Sequence, residues 1–386
     1  MSETMNNPVA PTAPQAPVMP EKEKQDSTYE VASQWKLMWW KFKKHKLAMV
    51  AVPIIIIMYT LAIFCEFFSP SVPLERYSQY KNAPPTRIHI IDAEGKWNFP
   101  FVYDLKEAMD SYTFKKTFTE DTSKKIPLRF FAKGSDYKFW NLFPASIRFL
   151  GPVEPGDPFF LMGTDQLGRD LFSRILYGGR ISLSFCLVSI FFTFLVGLAL
   201  GGLSGYLGGI TDTVVQRTID MLMCVPQIPL WMALAATLPR DMQPLQMYLM
   251  MSIIMSLIGW TGLARVVRGK ILSLREEDFV MAARLSGASH ARVVGRHLVP
   301  SFASYIIVSV TGTVPAMILG ETALSFLGLG LQPPVVSWGV LLQDAQTIET
   351  LAHHPWLLWP AAFIVVTVLM FNFAGDGLRD AADPYK

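Results

Sequence analysis

LAMVAVPIIIIMYTLAIF, Leu47 to Phe64, contains no Asp, Glu, Lys or Arg. As a helix it reaches across about 30 Å of hydrocarbon, which takes roughly 18 to 20 residues. Five further runs share this property: Ile181 to Ile210, Met221 to Leu238, Pro244 to Ala264, Phe302 to Leu319 and Leu357 to Ala374. A single charge at a span centre costs about 2.5 to 3.5 kcal/mol, so six uncharged runs predict six membrane-spanning helices rather than buried helices of a soluble core. The chain is 51% hydrophobic and 17% charged over 386 residues, which agrees. The first run begins too far into the chain, and is too long, for a cleaved signal peptide.

Working outward, WKLMWWKFKKHK (Trp35 to Lys46) places five lysines and three tryptophans before the first span. Lysine and arginine mark the cytoplasmic side, so the amino end is expected inside. Alternation then puts the loop between spans four and five inside as well, and it carries Arg265, Arg268, Lys270, Arg275, Arg284, Arg292 and Arg296. The next loop, Gly328 to Pro355, has no Lys or Arg, and the one at Pro239 to Gln243 has only Arg240. Both termini of this multi-pass protein are therefore expected in the cytoplasm. Residues 1–33, with repeated prolines, read as a disordered tail and 34–68 as a basic anchor with span one. Residues 69–160 read as a folded outer insert of mixed secondary structure whose aromatics (among them Phe99, Phe101, Tyr103, Phe130 and Trp140) supply a small core. Its basic residues alternate with acidic ones, and the net charge of the chain is only +3, which argues against nucleic acid. Cys65, Cys186 and Cys224 lie in apolar runs without CxxC or histidine spacing, so neither a disulfide framework nor a metal site is expected.

The inner loop after span four reads LSLREEDFVMAARLSGASHARVVGRHLVPS. Ser273 and Glu276 fit a capping box that starts a helix. On that helix Phe279, Ala282, Ala283 and Ser286 fall on one face, a knob beside small residues suited to insertion into a groove on another protein. Gly287 ends it with a left-handed turn, and Pro300 is expected to stop the following basic helix. Spacing alone leaves a merely solvated amphipathic loop open. The two alanines, the glycine four positions on and the later proline resemble the EAA loop of ABC importer permeases. "MGTDQLGRDLFSRILYGGRISL" (Met162 to Leu183), "ALSFLGLGLQPPVVSWGVLL" (Ala323 to Leu342) and the terminal "GDGLRDAADPYK" resemble the C-type permeases of dipeptide and oligopeptide importers.

That resemblance implies an all-α type I importer permease fold of six transmembrane helices, with residues 161–386 as the permease core. It implies a coupling loop at 273–300 in which Glu277, Asp278, Phe279, Ala282, Ala283, Gly287, Arg292 and Pro300 engage the ATPase. The glutamate that names the loop is replaced by Met281. The implied partners are a second homologous permease, two ATP-binding subunits carrying ATP and Mg, a periplasmic peptide-binding protein and a peptide cargo. The long insert resembles the subgroup linked to oligopeptides and microcin C-like peptides; nickel or another non-peptide solute is the alternative cargo. No GxxxxGK[ST] loop occurs, so the chain is expected to bind no cofactor and to be no enzyme. A secondary transporter would need intramembrane charges or half-helices for ion coupling, and an intramembrane enzyme polar groups at mid-membrane depth.

Four other features are read from the residues. Asp165 and Asp170, beside Arg169 and Arg174, suggest a salt-bridged loop on the span ends rather than a catalytic pair. Arg217 and Asp220 lie on one helical face at the start of span three, where Pro226 and Pro229 also sit, and these four are the candidates for a gate or pathway. Gly197, Gly201 and Gly205 form a small-xxx-small packing face. Glu321 is expected just past span five, as a cap or a substrate contact.

Overall fold

The computed structural model describes residues 34–92, 94–109, 116–140, 142–239 and 241–383; the expected tail at 1–33 and Arg240 lie outside them. The first helices are α1 (Gln34–Lys44), α2 (Lys46–Ile63) and the one-turn α3 (Cys65–Phe68). Four strands follow: β1 (His89–Ile91), β2 (Trp97–Met109), β3 (Lys116–Phe139) and β4 (Phe143–Pro152). The helical remainder comprises α4 (Leu171–Leu207), α5 (Gly209–Cys224), α6 (Gln227–Ala236), α7 (Pro244–Leu274), α8 (Asp278–Leu285), α9 (Ala303–Phe326), α10 (Trp338–Gln343), α11 (Ile348–His353) and α12 (Trp359–Ala382).

Among the described residues, five helices are long and apolar enough to cross a membrane: α2, α4, α7, α9 and the stretch Pro355–Ala382 that contains α12. The expected third span is not one continuous helix. It is the pair α5 and α6, bent by 88°. The bend has a local cause. Val225 is held extended (φ −91°, ψ 130°), as a residue before proline prefers, and Pro226 is the N-cap of α6. Pro229 falls in the first turn of α6, where its missing N–H has no intrahelical acceptor to satisfy.

α4 and α7 are the central pair, and three glycines bring them together. A Cβ on Gly201 would lie 2.6 Å from the Ala264 carbonyl oxygen, and one on Gly205 2.9 Å from that of Arg268. Around this pair one apolar core joins Phe185, Trp231, Met255, Met317 and Trp338. A second, toward the other end of α4, joins Tyr206, Val267, Ile271, Val280, Val293 and Phe302. α12 closes against α2, where Gly377 faces Ala48. The basic helix α1 packs Met38 and Phe42 on Ala381, and Lys41 Nζ donates to the Asp383 carbonyl at 2.7 Å.

The insert departs from expectation in two ways. It is an antiparallel sheet of order β1-β2-β3-β4 with no helix among its described residues, so it is β rather than mixed. Of the aromatics named for its core, Phe101 and Tyr103 are buried, whereas Phe99 is 87% and Phe130 56% exposed. Its core is instead aliphatic and small: Val102, Ile126 and Leu128 with Phe159. Phe101, Val102 and Tyr103 are consecutive and all buried, so both faces of β2 are covered at its middle, whereas Phe99 near its start lies beyond that cover.

Candidate functional site

α7 continues to Leu274, so Ser273 lies inside it and donates to the Lys270 carbonyl at 3.0 Å. The expected capping box therefore does not form. α8 starts at Asp278 behind an extended Glu277 (φ −68°, ψ 150°) that makes no side-chain cap bond. Asp278 in the first turn and Arg284 in the last complement the helix dipole. Val280 is the fully buried anchor of α8, and it sets the rotation of the helix. Ala283, one turn on, turns inward with it and packs on the same cluster. The outward face is thus Phe279, Ala282 and Ser286, as read from sequence, joined by Met281 and by Leu285 at 87% exposure, but without Ala283. Val280 at i−3 from Ala283 is the signal that spacing alone did not use.

The elbow is clamped to the end of α4. Arg284 Nε donates to the Tyr206 hydroxyl at 3.1 Å and the guanidinium lies 4.9 Å from the ring centre. Gly287 adopts φ +79°, and the N–H groups of Gly287 and Ala288 return to the carbonyls of Arg284 (2.9 Å) and Ala283 (3.1 Å). This is a Schellman turn, which glycine makes without Cβ strain. Ser289 then caps a helix that is α over His290–Arg292, π over Val293–Leu298 and α again over Val299–Ser301. Arg292 and Pro300 are both exposed. Pro300 does not stop this helix, and the break falls at Phe302 (φ −121°). The π segment, in which the Val299 N–H reaches the Val294 carbonyl five residues back, widens the helix where the proline ring would otherwise meet a carbonyl.

Arg217 and Asp220 do share a face of α5, but at 3.8 Å their contact is weak, and Arg217 is 81% exposed. The firmer partner of Asp220 is Arg265 of α7, whose Nη2 donates to it at 2.6 Å. Two turns earlier Asp212 accepts from Arg268 Nη2 at 2.7 Å and from Ser204 of α4 at 2.5 Å. These bonds tie α5 to α7 in the stretch just before the elbow, and to the end of α4. Asp212 does not stand out in the sequence, and Arg265 and Arg268 appear there only as inner-side charges; their pairing with the aspartates joins residues 45 and 56 positions apart, beyond the reach of local spacing. Pro226 and Pro229 lie at the bend itself, beside the exposed apolar side chains Met223, Val225 and Ile228.

The sequence of this site finds relatives. Residues 197–385 match the family described as binding-protein-dependent transport system inner membrane component, and residues 33–85 match the N-terminal TM domain of oligopeptide transport permease C. The oligopeptide transport system permease protein OppC of Bacillus subtilis is 38% identical over 250 residues, covering 64% of this chain and 77% of that protein. The dipeptide transport system permease protein DppC of Lactococcus lactis is 31% identical over 374 residues, 93% of this chain and 94% of its own. The chain belongs to the oligopeptide and dipeptide ABC permease family. A fainter likeness, TM-score 0.42 and 19% identity over 54% of this chain and 95% of the other, is to the inward facing MetNI methionine ABC transporter.

As a member of that family the chain is a transporter permease subunit and not an enzyme. The elbow, α5 and the bend all fall inside the longer family match, whereas the sheet lies outside both matched segments. At the other end of the permease helices the acidic loop is structural, as expected. Asp165 Oδ2 accepts from Arg169 Nε at 2.7 Å and from Arg174, which also reaches Asp344 at 3.4 Å. Asp170 takes neither arginine. It caps α4, accepting from the Ser173 N–H at 2.8 Å, and burial pushes its carboxyl up to about 6. Glu321 is not past the span. It sits within α9, 1% exposed, accepting from Ser182 at 3.1 Å and Ser325 at 2.9 Å, so it braces helices instead of facing an open path. Among the described residues no group of three or more His, Cys, Asp or Glu is placed to hold a metal.

Proposed function

We propose that this chain is the C-type permease subunit of an ATP-driven importer of di- and oligopeptides, and that α8 is the helix through which a separate ATPase drives it. The observation carrying this reading is the outward face of α8, an apolar surface made by Phe279, Met281, Ala282 and Leu285 on a helix otherwise fixed by Val280 and Arg284. The peptide cargo is supported by relatives named for oligopeptide and dipeptide transport. In this account the chain spans the inner membrane six times, counting α5 and α6 as one broken span, with both termini in the cytoplasm. It works with a second homologous permease, two ATP-binding subunits that hold ATP and Mg, and an external peptide-binding protein. Closure of the ATPase pair moves the docked α8. The motion passes through the continuous α7 and the Arg265–Asp220 and Arg268–Asp212 bonds to α5, and pivots at Pro226 to open the path outward. Glu277, Asp278 and Arg292 flank the docked face, Gly287 fixes the elbow angle, and Arg217, 81% exposed, is accessible to a partner.

The test is co-purification of the complex from membranes. Changing Leu285→Asp together with Ala282→Trp alters only exposed side chains, so the permease should still insert and fold while the ATPase is no longer recovered with it. Undiminished recovery of the ATPase overturns the docking assignment.

A further inference from the structure

The outer stretch of the insert carries apolar residues on both faces of a strand that is buried on only one. Along β4, Arg148 and Leu150 point into the insert, with Arg148 1% exposed. The alternate residues Phe143 (64% exposed), Ile147 (53%) and Phe149 (37%) point the other way. A strand face left to water is ordinarily polar. On β3, the residues paired with this face are Phe139 opposite Phe143, Lys133 opposite Ile147 and Arg129 opposite Gly151. Its chemistry is therefore aromatic and basic together.

This face is continuous with the end of α2. Phe64 stacks on Phe139 at 5.8 Å, and Phe139 on Trp140 at 5.2 Å. Phe67 meets Phe131 at 6.1 Å, and Phe68 meets Phe149 at 5.3 Å. Trp140 Nε1 donates to the Ile63 carbonyl at 2.9 Å, which pins the hairpin to the last turn of the span. α2 is the most exposed of the long apolar helices, with 17% of its residues buried, and Ile56 and Ile57 one and a half turns or more below the stack are 59% and 56% exposed. Its 18 residues at about 1.5 Å each just cover the hydrocarbon, so its end lies at the headgroup level, the depth that tryptophan and aromatic rings prefer.

We infer that the β3–β4 hairpin lies on the membrane, with Phe131, Trp140, Phe143 and Ile147 seated among the acyl–glycerol region of the leaflet farthest from α1, and Arg129 and Lys133 meeting lipid phosphates. Lipid is the occupant because the face continues, without a gap, from the exposed apolar surface of α2, a helix long and apolar enough to cross a membrane. Basic side chains bordering an aromatic band are the pattern of an interfacial anchor. The sheet is thus held at a fixed height and tilt above the permease helices.

The test uses the full-length chain in lipid nanodiscs. The Trp140 emission is isolated as the difference between the unaltered protein and Trp140→Phe, and Phe143→Trp supplies a second reporter on the face. In discs of phosphatidylcholine and phosphatidylglycerol brominated at the glycerol end of the acyl chains, both signals should lose most of their intensity relative to unbrominated discs. Reversing Arg129 and Lys133 to Glu should weaken that quenching in phosphatidylglycerol and leave it nearly unchanged in phosphatidylcholine alone. If neither reporter is quenched, the assignment fails. It fails equally if they are unquenched by lipid and shift only when the external binding protein is added, since the face then belongs to a protein partner.

Discussion

Asp165 and Asp170 lie in one loop with Arg169 and Arg174, yet they take different partners. Asp165 collects both arginines, whereas Asp170 is spent on capping α4, and its Oδ1 has no protein partner. Burial of an unpaired carboxylate favours the protonated form, which is why its value rises from 3.8 to about 6. The folded state then binds this proton more tightly than the unfolded state. Its contribution to stability is fully present below the unfolded value and is lost as pH rises through the folded value. Asp170→Asn keeps a competent cap and removes the titration. The difference in thermal midpoint between the native chain and Asp170→Asn, followed in detergent from about pH 7 to about pH 4, should change across the window between the two values and be flat above it. A difference independent of pH would refute the shift. From sequence the loop is legible as salt-bridged, but which aspartate takes the arginines is not. That partition depends on α4 starting at Leu171, which commits Asp170 to the cap.

At the scale of elements, the Gly197, Gly201 and Gly205 spacing correctly announces a close helix contact, and the structure supplies α7 as the partner. The nearest atoms to a Cβ on Gly201 are the backbone of Ala264, which cannot rotate aside. Gly201→Ala should therefore cost about 1 to 3 kcal/mol of stability, the range for overpacking a filled contact. Gly269, on the same α7, has nothing within 4 Å of its would-be Cβ, so Gly269→Ala should instead gain about 0.5 to 1 kcal/mol from helix propensity. Unfolding midpoints of the two variants in one detergent test the contrast, and equal effects would show that the contact is not tight. The elbow teaches a related lesson. Gly287 and the outward Phe279, Ala282 and Ser286 follow from local rules, but the inward turn of Ala283 follows from Val280 finding a pocket between α7 and the π segment. Likewise Pro226 announces a break, while the burial of Trp231 of α6 in the main core, beyond the 88° bend, could not be read from the sequence.

For the whole molecule, the elbow and the sheet should lie on opposite sides of the membrane. After Cys224→Ser removes the exposed native thiol, Leu285→Cys should react with an impermeant maleimide only in inside-out vesicles, and Phe99→Cys only in right-side-out ones. Labelling of both from one side would overturn the topology and the coupling role with it. Which segments are apolar enough to leave water, and where glycine and proline turn or break the chain, can be read before any folding, because these are transfer and backbone energies that each residue brings with it. The sequence also carried enough of the family's spacing to place the elbow. The outward face of α8, the hold of Arg268 and Arg265 on Asp212 and Asp220, Glu321 as a buried brace, and the insert as a sheet with an aromatic face against the end of α2 emerge only once the chain has folded. Those outcomes depend on partners distant in the chain, and the free energy of such a pairing is not written in either residue alone.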